Sequence, residues 1–177
     1  MNYSIKKVFY FLLPFILLYL ILSNVLLNCK VASNAMESSI KEGGHILANR
    51  LAYVKSEPAR GDVVVIERDG EYMVRRIIGV PGDVITFDTE TMTMKLFGYA
   101  VSEDYITGGT SGGMYEEYVV PEDSYFVLGD NRLEVIDSRH WENPYITKDD
   151  ILGKALIVYG WWYIDFVPYY TVEMMEF

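Results

Sequence analysis

The sequence predicts a mainly β protein, an antiparallel β-sheet domain behind one N-terminal transmembrane helix. Three observations predict it. The chain opens on a long apolar run without a formal charge. After Lys30, short β-branched runs alternate with glycine, proline and aspartate turn signals, and helical periodicity is almost absent. The composition, 51% hydrophobic and 15% aromatic across 177 residues, is too apolar for a disordered chain and suffices for one domain core.

The apolar run VFYFLLPFILLYLILSNVLL covers Val8 to Leu27. As a helix rising about 1.5 Å per residue it spans roughly 30 Å, the hydrocarbon thickness of a bilayer. Ser23 and Asn24 are uncharged and lie near its far end, and Pro14, about two turns in, is expected to kink the helix. Lys6 and Lys7 precede it, which favours a cytoplasmic N-terminus and places everything after Lys30 outside. A cleaved signal peptide would have a shorter apolar core, of about 7–15 residues. The expected organisation is therefore a cytoplasmic tail at 1–7, a single transmembrane helix at 8–28 and an extracellular domain at 29–177, with membrane lipid as one partner.

Expected strands follow in order: His45–Asn49, Asp62–Ile66, Tyr72–Gly79, Asp83–Phe87, Tyr118–Val120, Ser124–Leu128 and Ala155–Tyr159. Gly43-Gly44, Arg60-Gly61, Asp69-Gly70 and Pro81-Gly82 punctuate them as turns. Thr107 to Gly113 (TGGTSGG) is a low-complexity loop. The C-terminal stretch from Gly160 to Tyr170 is aromatic but broken by Asp165 and Pro168, which argues against a second membrane helix. It reads equally as a headgroup-level aromatic surface or as a final strand whose rings fill the core.

Charge excludes one class of partner. Fifteen Lys and Arg stand against 25 Asp and Glu, a net −10, which gives nucleic acid no basic surface. No cofactor motif is present, and two separated histidines with the single Cys29 make no metal-ligand set. One cysteine also excludes an intramolecular disulfide.

Four segments in order behind the anchor carry a specific pattern. They are Ser33-Asn34-Ala35-Met36-Glu37-Ser38-Ser39, Arg60-Gly61-Asp62-Val63-Val64-Val65, Val74-Arg75-Arg76-Ile77-Ile78-Gly79-Val80-Pro81-Gly82-Asp83, and Gly129-Asp130-Asn131-Arg132 with Asp137-Ser138-Arg139. Together they resemble the type I signal peptidases, serine–lysine endopeptidases that remove signal peptides on the outer face of the membrane. The resemblance covers nearly the whole chain. It implies a signal-peptidase-like β domain, secreted precursors as partners, and no cofactor.

Position by position, the resemblance fails at the reactive pair. The nucleophilic serine of S-x-S-M falls on Ala35, and the lysine general base that opens K-R-[VI]-I-G falls on Arg75. Alanine has no oxygen to attack a carbonyl. Arginine keeps its proton at physiological pH, whereas a buried lysine can be brought into the working range. Removing a serine nucleophile alone cost a protease on the order of 10⁶ in turnover. Ser33 falls on the oxyanion-donor position, and Met36 and Ile77 on positions implied to line the peptide cleft. Asp130, Arg132, Asp137 and Arg139 match the structural part of the pattern, suited to tying loops by charge-assisted hydrogen bonds. Leu133-Glu134-Val135 replaces polar residues, including a serine that lies near the catalytic lysine in the family. His45 and His140, the only histidines, have no spacing that sets them beside Ser38, Ser39 or Ser138.

The resemblance thus implies a fold that has lost catalysis. Its inactive members accompany pilus subunits and sortases, which implies a peptide-binding assembly factor or chaperone for secreted surface proteins, pilin subunits included. The alternatives are an active or deliberately inactivated signal peptidase I, and a plain envelope scaffold.

Overall fold

The computed structural model describes residues 3–106, 108–133, 135–160, 163–166 and 173–174. An apolar helix, α1 (Tyr3–Val25), leads directly into strand β1 (Leu26–Lys30). The helix ends short of the expected boundary at 28. Leu26 and Leu27 leave it to pair with Asn49 and Ala48, and the Arg50 amide caps the Val25 carbonyl at 2.8 Å. Residues Lys6–Val25 are long and apolar enough to cross a membrane, and none of that stretch is buried against the domain. Near its far end Ser23 and Asn24 bond locally, Ser23 Oγ at 3.0 Å and Asn24 Nδ2 at 2.7 Å from the Leu20 carbonyl.

Beyond the helix the chain is antiparallel β. The further strands are β2 (His45–Asn49), β3 (Val63–Arg68), β4 (Glu71–Gly79), β5 (Val84–Asp88), β6 (Thr93–Leu96), β7 (Tyr99–Ser102), β8 (Glu117–Val119), β9 (Ser124–Leu128), β10 (Tyr145–Thr147), β11 (Ile151–Gly160), β12 (Tyr163–Phe166) and β13 (Glu173–Met174). Among the described residues they form two sheets. An eight-stranded sheet runs β1-β2-β11-β3-β4-β9-β10 with β12 paired to β11, and a five-stranded sheet runs β13-β7-β6-β5-β8. The seven expected strands are present within a few residues. β12 lies in the aromatic C-terminal stretch, where Ile164 is exposed; Trp161, Trp162 and Pro168-Tyr169-Tyr170 lie outside the described residues.

Alternation explains the core. In β3 and β4, one face sends Val63, Val65 and Val74 to a cluster with Met36, Ile40 and Ile46. The other face sends Val64, Ile66 and Ile77 to a cluster with Tyr125, Val127 and Trp141. A third cluster joins the two sheets, with Ile78, Phe126 and Leu128 packed on Ile85, Leu96 and Tyr118. At its centre β4 shifts register between Ile77 and Gly79. A Cβ on Gly79 would stand 2.7 Å from Ile85 Cδ1 and 2.9 Å from both Phe126 Cβ and Val120 Cγ2. Gly79→Ala therefore overpacks the seam between the sheets, and chemical denaturation is expected to show a loss of about 1–3 kcal/mol.

Candidate functional site

Two loops and one strand converge. The first loop, 31–44, joins β1 to β2 and is closed at its base by Val31 N to Gly44 O at 2.8 Å and Gly43 N to Val31 O at 2.9 Å. Within it, Ser39 N and Ile40 N both donate to the Met36 carbonyl, at 2.8 and 2.6 Å. That turn drives Met36 and Ile40 into the core, each 1% exposed.

The second loop, 129–137, follows β9. Its Asn131 amide donates to the Ala35 carbonyl at 3.0 Å, and Asn131 Nδ2 donates to the Asn34 carbonyl at 3.2 Å. A Cβ on Gly129 would stand 2.6 Å from Ala35 O and 2.7 Å from Val135 Cγ1. Glycine at 129 is what lets the two loops approach so closely. Strand β4 supplies Arg75, whose Nη2 donates to the Ile136 carbonyl at 2.8 Å and whose Nη1 donates to the Val74 carbonyl at 2.7 Å. Ala35 and Arg75 thus lean on the same loop.

Neither offers a nucleophile or a base. Ala35 presents a methyl group, 4% exposed. Arg75 is buried; desolvation pulls its guanidinium below the ordinary value, and the Asp137 charge opposes that pull. A guanidinium starting above about 12 stays protonated at neutral pH. Ser33 and Ser38 are exposed, while Ser39 is half-buried and its Oγ accepts Arg76 Nη2 at 3.3 Å.

Met36 and Ile77 lie in separate core clusters, at 1% and 0% exposure, so neither presents surface to a peptide in this conformation. His140 Nδ1 lies 3.5 Å from Asp137 Oδ1, but the neighbouring Ser138 is buried and its Oγ accepts the Val127 amide at 3.0 Å. His45 stacks on Tyr159 with ring centroids 5.3 Å apart, in a depression of about 380 Å³ lined also by Lys30, Gly43 and Gly160. Leu133 is exposed and Glu134 lies outside the described residues.

The four structural-motif residues Asp130, Arg132, Asp137 and Arg139 are all buried, and their partners lie partly outside the motif. Asp137 pairs within the motif, taking Arg139 Nε at 2.8 Å and Nη2 at 2.9 Å. Asp130 instead holds Arg76 of β4 through Nε at 2.9 Å and Nη2 at 2.6 Å. Arg132 pairs with Glu103 and bonds Thr110 Oγ1 at 3.0 Å. Arg76 stood inside a recognised motif without an assigned role. Glu103 had no signal, since it lies outside the four segments that carry the pattern.

The arrangement defines a class: a β protein behind an apolar helix, with two loops and a strand brought together around positions 35 and 75. The chain belongs to the signal peptidase family, peptidase S26, whose family model matches residues 5–162. It is similar to the signal peptidase I of Bacillus amyloliquefaciens, 31% identical over 138 residues that cover 73% of each chain. It is also similar to the signal peptidase I of Pseudomonas aeruginosa, 27% identical over 84% of this chain and 70% of that one. A solved signal peptidase I from Enterococcus faecalis is 26% identical and superposes with a TM-score of 0.45, covering 56% of this chain and 97% of that one.

Asp137 also sets a pH dependence. Burial opposes its ionisation, but hydrogen bonds from His140 and Arg139, the Arg139 charge and the Gly129 amide outweigh that and hold it at about 2, below the ordinary 3.8. A carboxylate lowered on folding contributes stability that is present above about 4 and lost as pH falls through about 2. Asp137→Asn is expected to cost about 3 kcal/mol at neutral pH by leaving Arg139 without its counter-charge. The same variant removes that part of the decline between about pH 4 and pH 2, read from denaturation midpoints across the range.

Proposed function

We propose that this chain is a membrane-anchored, non-hydrolytic member of the signal peptidase family. It holds an extended peptide of a secreted precursor and acts as an assembly factor or chaperone for surface proteins, pilin subunits among them. The observation that carries the reading is the pair Ala35 and Arg75 at the positions of nucleophile and base, each packed against the loop 129–137. A methyl group and a permanently protonated cation supply neither half of a serine–lysine mechanism. The surrounding scaffold is intact around them, which suits recognition without turnover. Strand addition is the binding mode a β domain offers to an extended peptide.

The reading places residues 1–7 in the cytoplasm, the helix in the bilayer and the domain outside, on the strength of Lys6 and Lys7 ahead of the apolar run. A second reading, hydrolysis of signal peptides, draws support from the names of the relatives, and the same experiment separates the two. The full chain in detergent micelles is incubated with a signal-peptide-bearing precursor beside its Ala35→Ser/Arg75→Lys variant. The unaltered chain is expected to yield no product. The double variant is expected to cleave at a rate at least on the order of 10³ above it. Product from the unaltered chain, abolished by changing some other serine, would establish the second reading instead.

A further inference from the structure

Arg75 differs from the other buried arginines. Arg76, Arg132 and Arg139 each meet a carboxylate that is itself buried. Arg75 is 6% exposed and, among the described residues, makes no ion pair. Its hydrogen bonds go to two main-chain carbonyls and, at 3.9 Å, to the Met73 sulfur, a weak acceptor. Its Nε donates to nothing and is, among the described residues, the one buried side-chain nitrogen or oxygen without a partner. Asp137 acts on it electrostatically, but the oxygens of Asp137 are already taken by Arg139 and by the Gly129 amide. A buried cation left without a counter-charge is costly, and an unmade hydrogen bond on a charged group adds to that cost.

We propose that Arg75 is the anchor of a carboxylate-binding site, in which a carboxylate of a bound peptide takes Nε and the Nη2 hydrogen now turned to the Met73 sulfur. This inference rests on the reading of the chain as a peptide binder and names the chemistry it recognises. Guanidinium and carboxylate match as planar forks with two parallel hydrogen bonds, a geometry that lysine does not offer. The position makes chemical sense. Where a lysine base would serve hydrolysis, an arginine suits retention of an acid, either the free C-terminus of a processed peptide or an aspartate or glutamate side chain. Entry requires a shift of the covering segment. That segment carries the exposed side chains of Leu133 and Ile136, 54% and 67% accessible, and Arg75 itself holds it through the Ile136 carbonyl.

The chain's own charge makes a test informative. A protein of net charge −10 repels carboxylates in general, so a preference for an acid reports a local site. The probes are fluorescent peptides of Ala, Ser and Val that differ only in one group: a free C-terminal acid, its amide, the amide with one internal Asp, and the amide with one internal Asn. Binding to the full chain in micelles is read by anisotropy. An acid is expected to bind about tenfold more tightly than its neutral counterpart, with the C-terminal and Asp arms identifying the source of the carboxylate. Arg75→Met is expected to abolish the preference and Arg75→Lys to retain part of it. In the unaltered chain, the Arg75 Nε–H resonance must move on titration with the acid peptide and stay in place with its amide, which needs no variant to fold. Equal binding of all four peptides would overturn the carboxylate site while leaving peptide binding intact. A preference that survives Arg75→Met, or an Nε–H resonance that does not move, would also overturn it. Binding of none would overturn both.

Discussion

Three guanidinium groups in the interior set the geometry on which everything else rests. The side chains of Arg76, Arg132 and Arg139 have no exposed surface, and each meets a carboxylate buried beside it. Withdrawing such charges from water costs several kcal/mol per ion, and only close, fully bonded pairing returns that cost. The pairing here is close to complete. Arg76 also donates to the Gly61 carbonyl and stacks 4.3 Å from the Tyr105 ring. Arg139 reaches the Arg132 carbonyl and both oxygens of Ser111. Net stability gained this way is small, but the alternatives are heavily penalised. The second loop is therefore anchored to β4 through Asp130, to Glu103, Thr110 and Ser111 through Arg132 and Arg139, and to itself through Asp137, while Leu133 and Ile136 between those anchors are exposed.

That pinning gives positions 35 and 75 a common setting. Asn131 stands over Ala35 and Ile136 over Arg75 only because the residues between and beside them are tied down. Scaffold and chemistry are separable here. The charged pairs, the Gly129 approach and the Gly79 seam hold the loops in place without any reactive group at 35 or 75.

Much of this was legible in the sequence, for identifiable reasons. The β3–β4 hairpin was readable because Asp69-Gly70 accept positive φ, 54° and 79°, as a tight hairpin turn demands. The β6–β7 hairpin was not, because its turn is Phe97-Gly98 at 51° and 84°, and phenylalanine is no signal for that conformation. β1 was hidden in the apolar run. Nothing local distinguishes Leu26-Leu27 as strand from the same residues as helix, and pairing with β2 decides it. Asp137 with Arg139 was readable because the pair is two residues apart. Glu103 with Arg132 and Asp130 with Arg76 were not, since 29 and 54 residues separate them and only the fold brings them together. At positions 35 and 75 the residue types were readable; their shared contact with one loop was not.

The proposal that no group in this chain attacks a peptide carbonyl stands on Ala35 and Arg75. It is tested most directly by intact mass of the full chain after a rapid quench from a stoichiometric incubation with a secreted precursor. The account predicts one unchanged protein mass and one unchanged precursor mass at every time point. A chain heavier by an acyl fragment of the precursor, with that fragment mapped to a serine, would contradict it.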